Sequence, residues 1–210
     1  MRLNLTKYRD HLIHCIDPLS RVFARLCLTP NQITLLSVLF GAGAAALYGL
    51  GQPYPAAVAL LVSALLDFID GGVARLNQQA SHFGAAIDWI ADKYVDGLVL
   101  IGIGLGGYVD LRLAAVAVFG SLINTFIKPV VYAEIGFAKK EGGKIQDPLE
   151  GVGIFGRPET IIVILVFSAL AGFTFFGYGA LAIAVAIVAL GTNFSALERI
   201  FYLYRNRSKY

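Results

Sequence analysis

Charged residues are scarce in this chain, and their scarcity argues against an ordinary soluble domain. Only 15% of the 210 residues are Asp, Glu, Lys or Arg, whereas soluble domains average about 25%. Hydrophobic residues make up 57% of the chain. The formal net charge of +3 fits an anionic membrane surface and gives no indication of nucleic-acid binding. The composition therefore predicts an integral membrane protein.

Cysteine is also scarce, which argues against a disulfide scaffold or a thiolate metal site. The two cysteines, Cys15 and Cys27, have no metal-ligand spacing, and we expect both to be reduced. The three histidines form no organised ligand set. Residues 1–6 lack the apolar core of a signal peptide, so we expect the N-terminus to be retained.

Long apolar runs occur in six places, and with their flanking residues they predict helices near the roughly 20 residues that crossing a bilayer requires. The runs are residues 32–50, 55–66 with a polar continuation, 94–107, 113–132, 160–177 and 178–194. They predict an all-α integral membrane protein with six transmembrane helices. We expect a single domain over residues 1–210, with the six-helix core at residues 30–207.

Residues 1–26 have a different pattern, because apolar residues recur there at steps of three and four with basic residues between them. This pattern predicts an amphipathic juxtamembrane helix that lies in the membrane interface. Lys and Arg also gather around Arg75, at residues 139–157 and after residue 198, whereas the intervening turns carry almost none. By the positive-inside rule, both termini and the site near Arg75 should face the cytoplasm of a cell-membrane protein.

Four aspartates interrupt the apolar sequence in two successive predicted helices. A bilayer makes such residues costly unless they hold a metal or a charged substrate. At about 100° per residue, the first group shares one helix stripe and the second group follows a stripe on the next helix. Helices 2 and 3 should therefore form a hairpin with facing carboxylates. The residues of the pattern are Asp67, Asp70, Gly71, Ala74, Arg75, Gly84, Asp88 and Asp92.

Several ionised carboxylates at this depth need cations between them, because like charges at short range disfavour ionisation. An all-oxygen set without organised His or Cys ligands indicates Mg²⁺ or Mn²⁺. Gly71 and Ala74 would let a bulky ligand approach the backbone. The guanidinium of Arg75 could donate two hydrogen bonds to a phosphate. The alternatives are that these acids line an ion pathway, as in a non-catalytic cation transporter, or that they pair with Arg75, Lys93 and Lys128. A permeation path, however, needs acids along a pore, and these acids are concentrated on one hairpin.

Residues 67–92 resemble, at every defined position, the signature of the CDP-alcohol phosphotransferase family of membrane enzymes. The resemblance implies six transmembrane helices, a juxtamembrane helix, a homodimer and a site open to the cytoplasm. It also implies transfer of a substituted phosphate from a CDP-linked donor to an alcohol, with release of CMP. Residues 29–34 resemble the family's segment at the start of helix 1.

The resemblance also implies roles for individual residues. Asp67, Asp70 and Asp88 would be ligands of a pair of Mg²⁺ or Mn²⁺ ions. Asp92 would lie near the second ion and act as the base toward the acceptor hydroxyl. The residues expected to bind the CDP moiety are Gly71, Ala74, Arg75, Asn31 and Thr34.

The acceptor depends on other residues. A membrane-buried site suggests a CDP-lipid donor, either CDP-diacylglycerol or CDP-archaeol. Lys128 in helix 4 and Arg157 at the start of helix 5 are placed to bind an acceptor phosphate, which resembles the subgroup that uses inositol phosphate. Glycerol phosphate and serine remain open as acceptors. The alternatives are an ion pair of Lys128 with Glu134 or a helix 2 aspartate, and a topology anchor at Arg157.

Two features of the sequence, Asp96 and the polar segment 138–158, each allow more than one interpretation. Asp96, one turn beyond Asp92, is either an acceptor that orients Lys93 or a metal-bound water, or an interhelical hydrogen-bonding group. The polar segment 138–158 is either a loop that closes over the site or a flexible connection.

Overall fold

The protein is an α-helical bundle in the computed structural model, which describes residues 19–23, 28–78, 81–135, 140–141, 144–145, 149 and 151–207. Its principal helices are α1 Pro30–Gly49, α2 Pro53–Leu76, α3 His82–Leu105, α4 Leu111–Glu134, α5 Arg157–Ala169 and α6 Ala180–Arg205. Two antiparallel hairpins of two-residue strands accompany them. They pair β1 Lys140–Glu141 with β2 Lys144–Ile145, and β3 Thr174–Phe175 with β4 Tyr178–Gly179.

Four of these helices, α1, α2, α4 and α6, are long and apolar enough to cross a membrane. Helix α3 has 24 residues but carries Asp88, Asp92, Lys93 and Asp96 in its interior. Helix α5 has 13 residues and is therefore only about 20 Å long. Within the described residues, the structure thus confirms an all-helical, multi-pass membrane protein, and it supports four of the six predicted crossings by length and composition.

Helix α5 is shorter than the sequence predicts. We expected one helix over residues 160–177, but the chain leaves the helix after Ala169 and turns through β3 and β4. Phe176 and Gly177 have φ angles of 55° and 82°, in the left-handed region that a helix does not contain. Helix α6, in contrast, continues to Arg205, well past the predicted end at residue 194.

The predicted juxtamembrane helix lies mostly outside the described residues. Residues 19–23 are helical, and Ser20 is fully buried there. The side chain of Ser20 occupies the space that a Cβ on Gly72 would take, so this turn contacts α2 closely. Phe23 packs beside a small apolar cluster that includes Ile33 and Ile69.

Local sequence signals explain where the site-bearing helices begin. Thr29 and Gln32 form a reciprocal capping box ahead of Pro30, which is the first residue of α1. Ser81 caps α3 by accepting a hydrogen bond from the Gly84 N–H at 3.0 Å. These caps fix the ends of α1 and α3 beside the aspartates.

The helices pack closely at the end of the bundle opposite to these aspartates. Helix α1 lies against α2 and α3, α4 lies against α6, and α5 lies between α2 and α6. A Cβ on Gly102 of α3 would collide with the backbone of Ala45 in α1, so a small residue is needed at this crossing. The buried hydroxyls of Tyr48 and Ser168 are 2.6 Å apart and join α1 to α5.

Candidate active site

Three carboxylates from the α2–α3 hairpin meet at one point. Asp67, Asp70 and Asp88 each offer one oxygen, and these oxygens lie within 4.8 Å of one another. Asp70 is 5% exposed, and the other two are partly buried. We call these three residues the carboxylate cluster. The i, i+3 spacing on α2 places Asp67 and Asp70 on one face, and α3 begins close enough to bring Asp88 opposite them.

Thr34 holds the most buried member of the carboxylate cluster. Its hydroxyl donates a hydrogen bond to Asp70 Oδ2 at 2.6 Å and lies 3.1 Å from the carbonyl oxygen of Pro30. Thr34 is itself buried. The sequence predicts contact of Thr34 with the nucleotide, and the structure places the side chain against Asp70, where it orients a carboxylate.

Asp92, the predicted base, lies beside the carboxylate cluster and contacts Arg157. Arg157 Nη1 is 2.6 Å from Asp92 Oδ1 and forms a second, shorter ion pair with Asp67 Oδ2. Arg157 Nε is 3.4 Å from Asp96 Oδ1. Arg157 comes from the first position of α5, so this ion-pair network joins three helices. The interpretation of Arg157 as a topology anchor does not describe this environment.

The other residues expected to bind the nucleotide follow the carboxylate cluster along α2. Gly71 and Ala74 are partly buried and Arg75 is exposed. A Cβ on Gly71 would be 3.6 Å from Arg75 Nη1. Asn31 is exposed, and its Oδ1 would be 3.8 Å from a Cβ on Gly84. Asn31, in the first turn of α1, therefore lies beside the start of α3, near the same end of the hairpin.

A cavity of about 650 Å³ opens beside these aspartates. Its polar lining includes Asp92 together with four cationic side chains from four different helices. We call these four the cationic wall, and they are Lys93, Lys128, Arg157 and Arg199. The apolar lining comes from α2 and α5 and includes Leu61, Leu65, Phe68 and Ile162. An anionic group with an attached apolar part would find both kinds of surface here.

Sequence reasoning missed Arg199 and Lys93 as residues of this cavity. Arg199 was counted only among the cytoplasmic charges, but it is 9% exposed. Its Nε donates to the carbonyl of Val152 at 3.1 Å, and its Nη1 donates to the carbonyl of Asn124. The signal was available, because Thr192, Ser195 and Arg199 recur on the buried stripe of α6 at steps of three and four.

The segment before α5 is fastened to α6 and α4. Ser195 Oγ accepts hydrogen bonds from the N–H groups of Ile154 and Phe155 at 3.1 and 2.8 Å. Asn124 Nδ2 donates to the carbonyl of Phe155 at 2.8 Å. These bonds fix the chain just ahead of Arg157. In segment 138–158, most of residues 138–150 lie outside the described residues, so neither a closing loop nor a flexible connection is tested there.

The carboxylate cluster fits the hard divalent cation that the sequence predicts. Three carboxylate oxygens converge there without a nitrogen or sulfur donor among them, and this is the donor set that Mg²⁺ and Mn²⁺ prefer. Of the four predicted metal ligands, Asp67, Asp70 and Asp88 converge, whereas Asp92 is turned to Arg157. Thr34 supplies the hydrogen-bonding support that metal-binding carboxylates usually have.

The sequence profile of the family described as CDP-alcohol phosphatidyltransferase matches residues 27–192. The archaetidylinositol phosphate synthase of Methanothermobacter thermautotrophicus is 30% identical over 201 residues, which cover 96% of this chain and 94% of that protein. The phosphatidylinositol phosphate synthase of Mycobacterium marinum is 26% identical over 196 residues, covering 90% of this chain and 79% of that protein.

Solved structures of the phosphatidylinositol phosphate synthase of Mycobacterium tuberculosis share the fold. The structure with CDP-DAG bound has a TM-score of 0.72 at 22% identity and covers 90% of this chain and 92% of that chain. The structure in complex with manganese and citrate has a TM-score of 0.72 at 23% identity and covers 89% of this chain and 88% of that chain.

Proposed function

The chain belongs to the CDP-alcohol phosphatidyltransferase family, and from this premise we propose that it joins the lipid phosphate of a CDP-lipid to an alcohol that carries its own phosphate. Inositol phosphate is the preferred acceptor, and CMP is the second product. The observation that supports this proposal most strongly is the shared cavity, in which Asp92 faces the same space as Lys128, Arg157 and Arg199. A base and several cations in one cavity suit a phosphorylated alcohol.

The relatives support both the donor and the acceptor of this proposal. The names of two relatives pair an archaeal or a diacyl lipid with inositol phosphate, and one solved neighbour holds CDP-DAG. The apolar side of the cavity, with Leu61, Leu65 and Phe68, would accommodate the part of a lipid next to its phosphate. The donor is therefore CDP-diacylglycerol or CDP-archaeol.

The reaction needs a proton acceptor at the hydroxyl of the acceptor. In the proposed reaction, an oxygen of Asp92 takes this proton while the hydroxyl oxygen forms a bond to the lipid-linked phosphorus of the donor. The bond from that phosphorus to the CMP oxygen breaks, and CMP leaves with the bonding electrons. Lys128, Arg157 and Arg199 bind the acceptor's own phosphate and hold its hydroxyl near Asp92.

Divalent ions held by Asp67, Asp70 and Asp88, with Asp92 beside a second ion, would stabilise the negative charge of the donor diphosphate. Gly71, Ala74 and Arg75 bind the CDP moiety in this proposal, and Asn31 contributes from the start of α1. Thr34 acts through Asp70, whose carboxylate it orients at 2.6 Å. These assignments divide the sequence pattern among metal binding, nucleotide binding and proton transfer.

The proposed membrane arrangement has six crossings in one domain over residues 1–210. Helix α3 has 24 residues, so at about 1.5 Å per residue it exceeds a 30 Å core, and its charged side is turned to the site. Helix α5, which has 13 residues and is about 20 Å long, is the sixth crossing in this proposal. An even number of crossings with basic ends supports a cytoplasmic location for both termini and the cavity. The family resemblance is the support for a homodimer.

A panel of acceptors tests this function directly. Purified protein in liposomes would receive CDP-diacylglycerol or CDP-archaeol, Mn²⁺ or Mg²⁺, and one alcohol at a time. We expect lipid-linked inositol phosphate, identified by mass, together with an equal amount of CMP. Product with glycerol phosphate or serine in place of inositol phosphate would reassign the acceptor. Absence of CMP release with every acceptor would refute the proposed reaction.

A further inference from the structure

Asp96 lies one turn beyond Asp92 on α3, and it is neither a proposed metal ligand nor the proposed base. It is 5% exposed, and a carboxylate buried to this degree is costly unless cations accompany it. Two cations do so. Asp96 Oδ2 is 2.5 Å from Lys93 Nζ, and Asp96 Oδ1 is 3.4 Å from Arg157 Nε. Both cations line the cavity that contains Asp92.

The two oxygens of Asp96 act on different parts of the cationic wall. The guanidinium of Arg157 is planar, so the negative charge of Asp96 near Nε favours one direction for the remaining edge. That edge carries Nη1, which is 2.6 Å from Asp92 Oδ1. On its other side, Asp96 holds Lys93, whose Nζ also lies 3.3 Å from Ser121 Oγ on α4. Asp96 therefore connects α3, α4 and α5 at the level of the proposed base.

We propose that Asp96 is a positioning residue, which orients Arg157 and Lys93 so that the phosphorylated acceptor is held with its hydroxyl at Asp92. This inference rests on the proposed function. Asp96 does not touch the substrate in this account, and it acts through the two cations. Without the negative charge of Asp96, Arg157 would be drawn further onto Asp92 and Asp67. Lys93 would then lose its main anionic partner.

The substitution Asp96→Asn tests this role, because it keeps the shape of the side chain and removes the charge. We expect the KM for inositol phosphate to rise about 10- to 100-fold, the range that a misplacement of about 1 Å costs. The KM for the CDP-lipid should stay within about twofold. An unchanged acceptor KM in the folded variant would overturn the proposal.

A double-mutant cycle shows whether Asp96 acts through Arg157. The variant with both Asp96→Asn and Arg157→Ala should raise the acceptor KM by clearly less than the product of the two single effects, because the second change removes one of the two cations that Asp96 positions. Multiplication of the two effects would overturn the proposal. Inactivity of the wild-type protein with every acceptor would instead refute the proposed function, so the two failures are distinguishable.

Asp110→Asn is the matched control for the loss of a carboxylate. Asp110 caps α4 through a 2.7 Å bond from the Arg112 N–H. Asparagine caps helices as well as aspartate does, so this variant should keep the fold and leave the acceptor KM unchanged. If Asp96→Asn does not accumulate as folded protein, Asp96→Glu replaces it, since this change keeps the charge and displaces it by one methylene. A severalfold rise in acceptor KM is then expected, and an unchanged value would overturn the proposal.

Discussion

The carboxylate cluster and the cationic wall face one cavity but are constructed differently. The cluster comes from α2 and α3, two consecutive helices joined by a short turn, so its geometry depends on one hairpin. The cationic wall takes one residue from each of α3, α4, α5 and α6, so its geometry depends on the packing of four helices. Changes in the cluster should therefore affect metal binding and bond transfer, whereas changes in the wall should affect the acceptor.

The largest effect is expected where the two regions meet, at Asp92. The variant Asp92→Asn should lower the rate of CMP release by roughly 10²- to 10⁴-fold, the contribution of a positioned base. The measurement is CMP release at saturating CDP-lipid and acceptor. A rate within twofold of the wild type would show that Asp92 is not the base. The carboxylate cluster and the cationic wall would then not be linked by proton transfer to Asp92.

A smaller effect, confined to the carboxylate cluster, is expected for Thr34→Val. This change removes the hydroxyl that donates to Asp70 Oδ2, and loss of such support typically costs about 10- to 100-fold in metal affinity. Titration with Mn²⁺ followed by electron paramagnetic resonance measures it, and the acceptor KM should not change. Thr192→Val is the control, since Thr192 is equally buried but bonds the Val188 carbonyl. Equal Mn²⁺ affinities in Thr34→Val and Thr192→Val would contradict the role of Thr34 in orienting Asp70.

Next in size is an effect confined to the cationic wall. Lys128→Met and Arg157→Ala should each raise the KM for inositol phosphate about tenfold, because each removes a charge-assisted bond to the acceptor phosphate. The KM for the CDP-lipid should stay nearly constant. Arg207→Ala is the control, because this cation lies over the exposed Tyr204 ring and not in the cavity. Unchanged acceptor kinetics in both variants would disprove the phosphate pocket.

The smallest effect is expected at Ser195, which supports the segment ahead of Arg157 without lining the cationic wall. Ser195→Ala removes the acceptor for the Ile154 and Phe155 N–H groups, which loosens the chain ahead of Arg157. A loss of about 1 kcal/mol corresponds to a rise in acceptor KM of about fivefold. Ser168→Ala serves for comparison, because Ser168 is equally buried and bonds Tyr48 at the far end of the bundle. Ser168→Ala should lower stability without changing the acceptor KM. Identical acceptor KM values in Ser195→Ala and Ser168→Ala would contradict the supporting role of Ser195.

The difference between the two regions also explains what the sequence could predict. Asp67, Asp70 and Asp88 are close along the chain and follow helical periodicity, so their convergence could be predicted from spacing alone. Arg199 could not be placed in this way, because its burial depends on how α6 packs against α4 and on the segment at residues 151–156. Thr34 shows the same limit, since spacing brings it to the site but does not show that it bonds Asp70.

Helix boundaries were predictable only where local signals mark them. Thr29 and Ser81 cap α1 and α3 by familiar side-chain bonds. The end of α5 at Ala169 was not predicted, because residues 170–177 remain apolar although the backbone turns there. Hydrophobicity reports burial in lipid or protein and does not report helix length, so the predicted helix 5 was too long.

The most direct test of the central claim is the ratio of kcat/KM for inositol phosphate to that for inositol, measured on one preparation with the same CDP-lipid and Mn²⁺. Two or more charge-assisted bonds to the phosphate predict a preference of about 100-fold or more for inositol phosphate. The preference should fall in Lys128→Met. Equal kcat/KM values for the two alcohols in the wild type would contradict the claim that the cationic wall binds an acceptor phosphate beside Asp92.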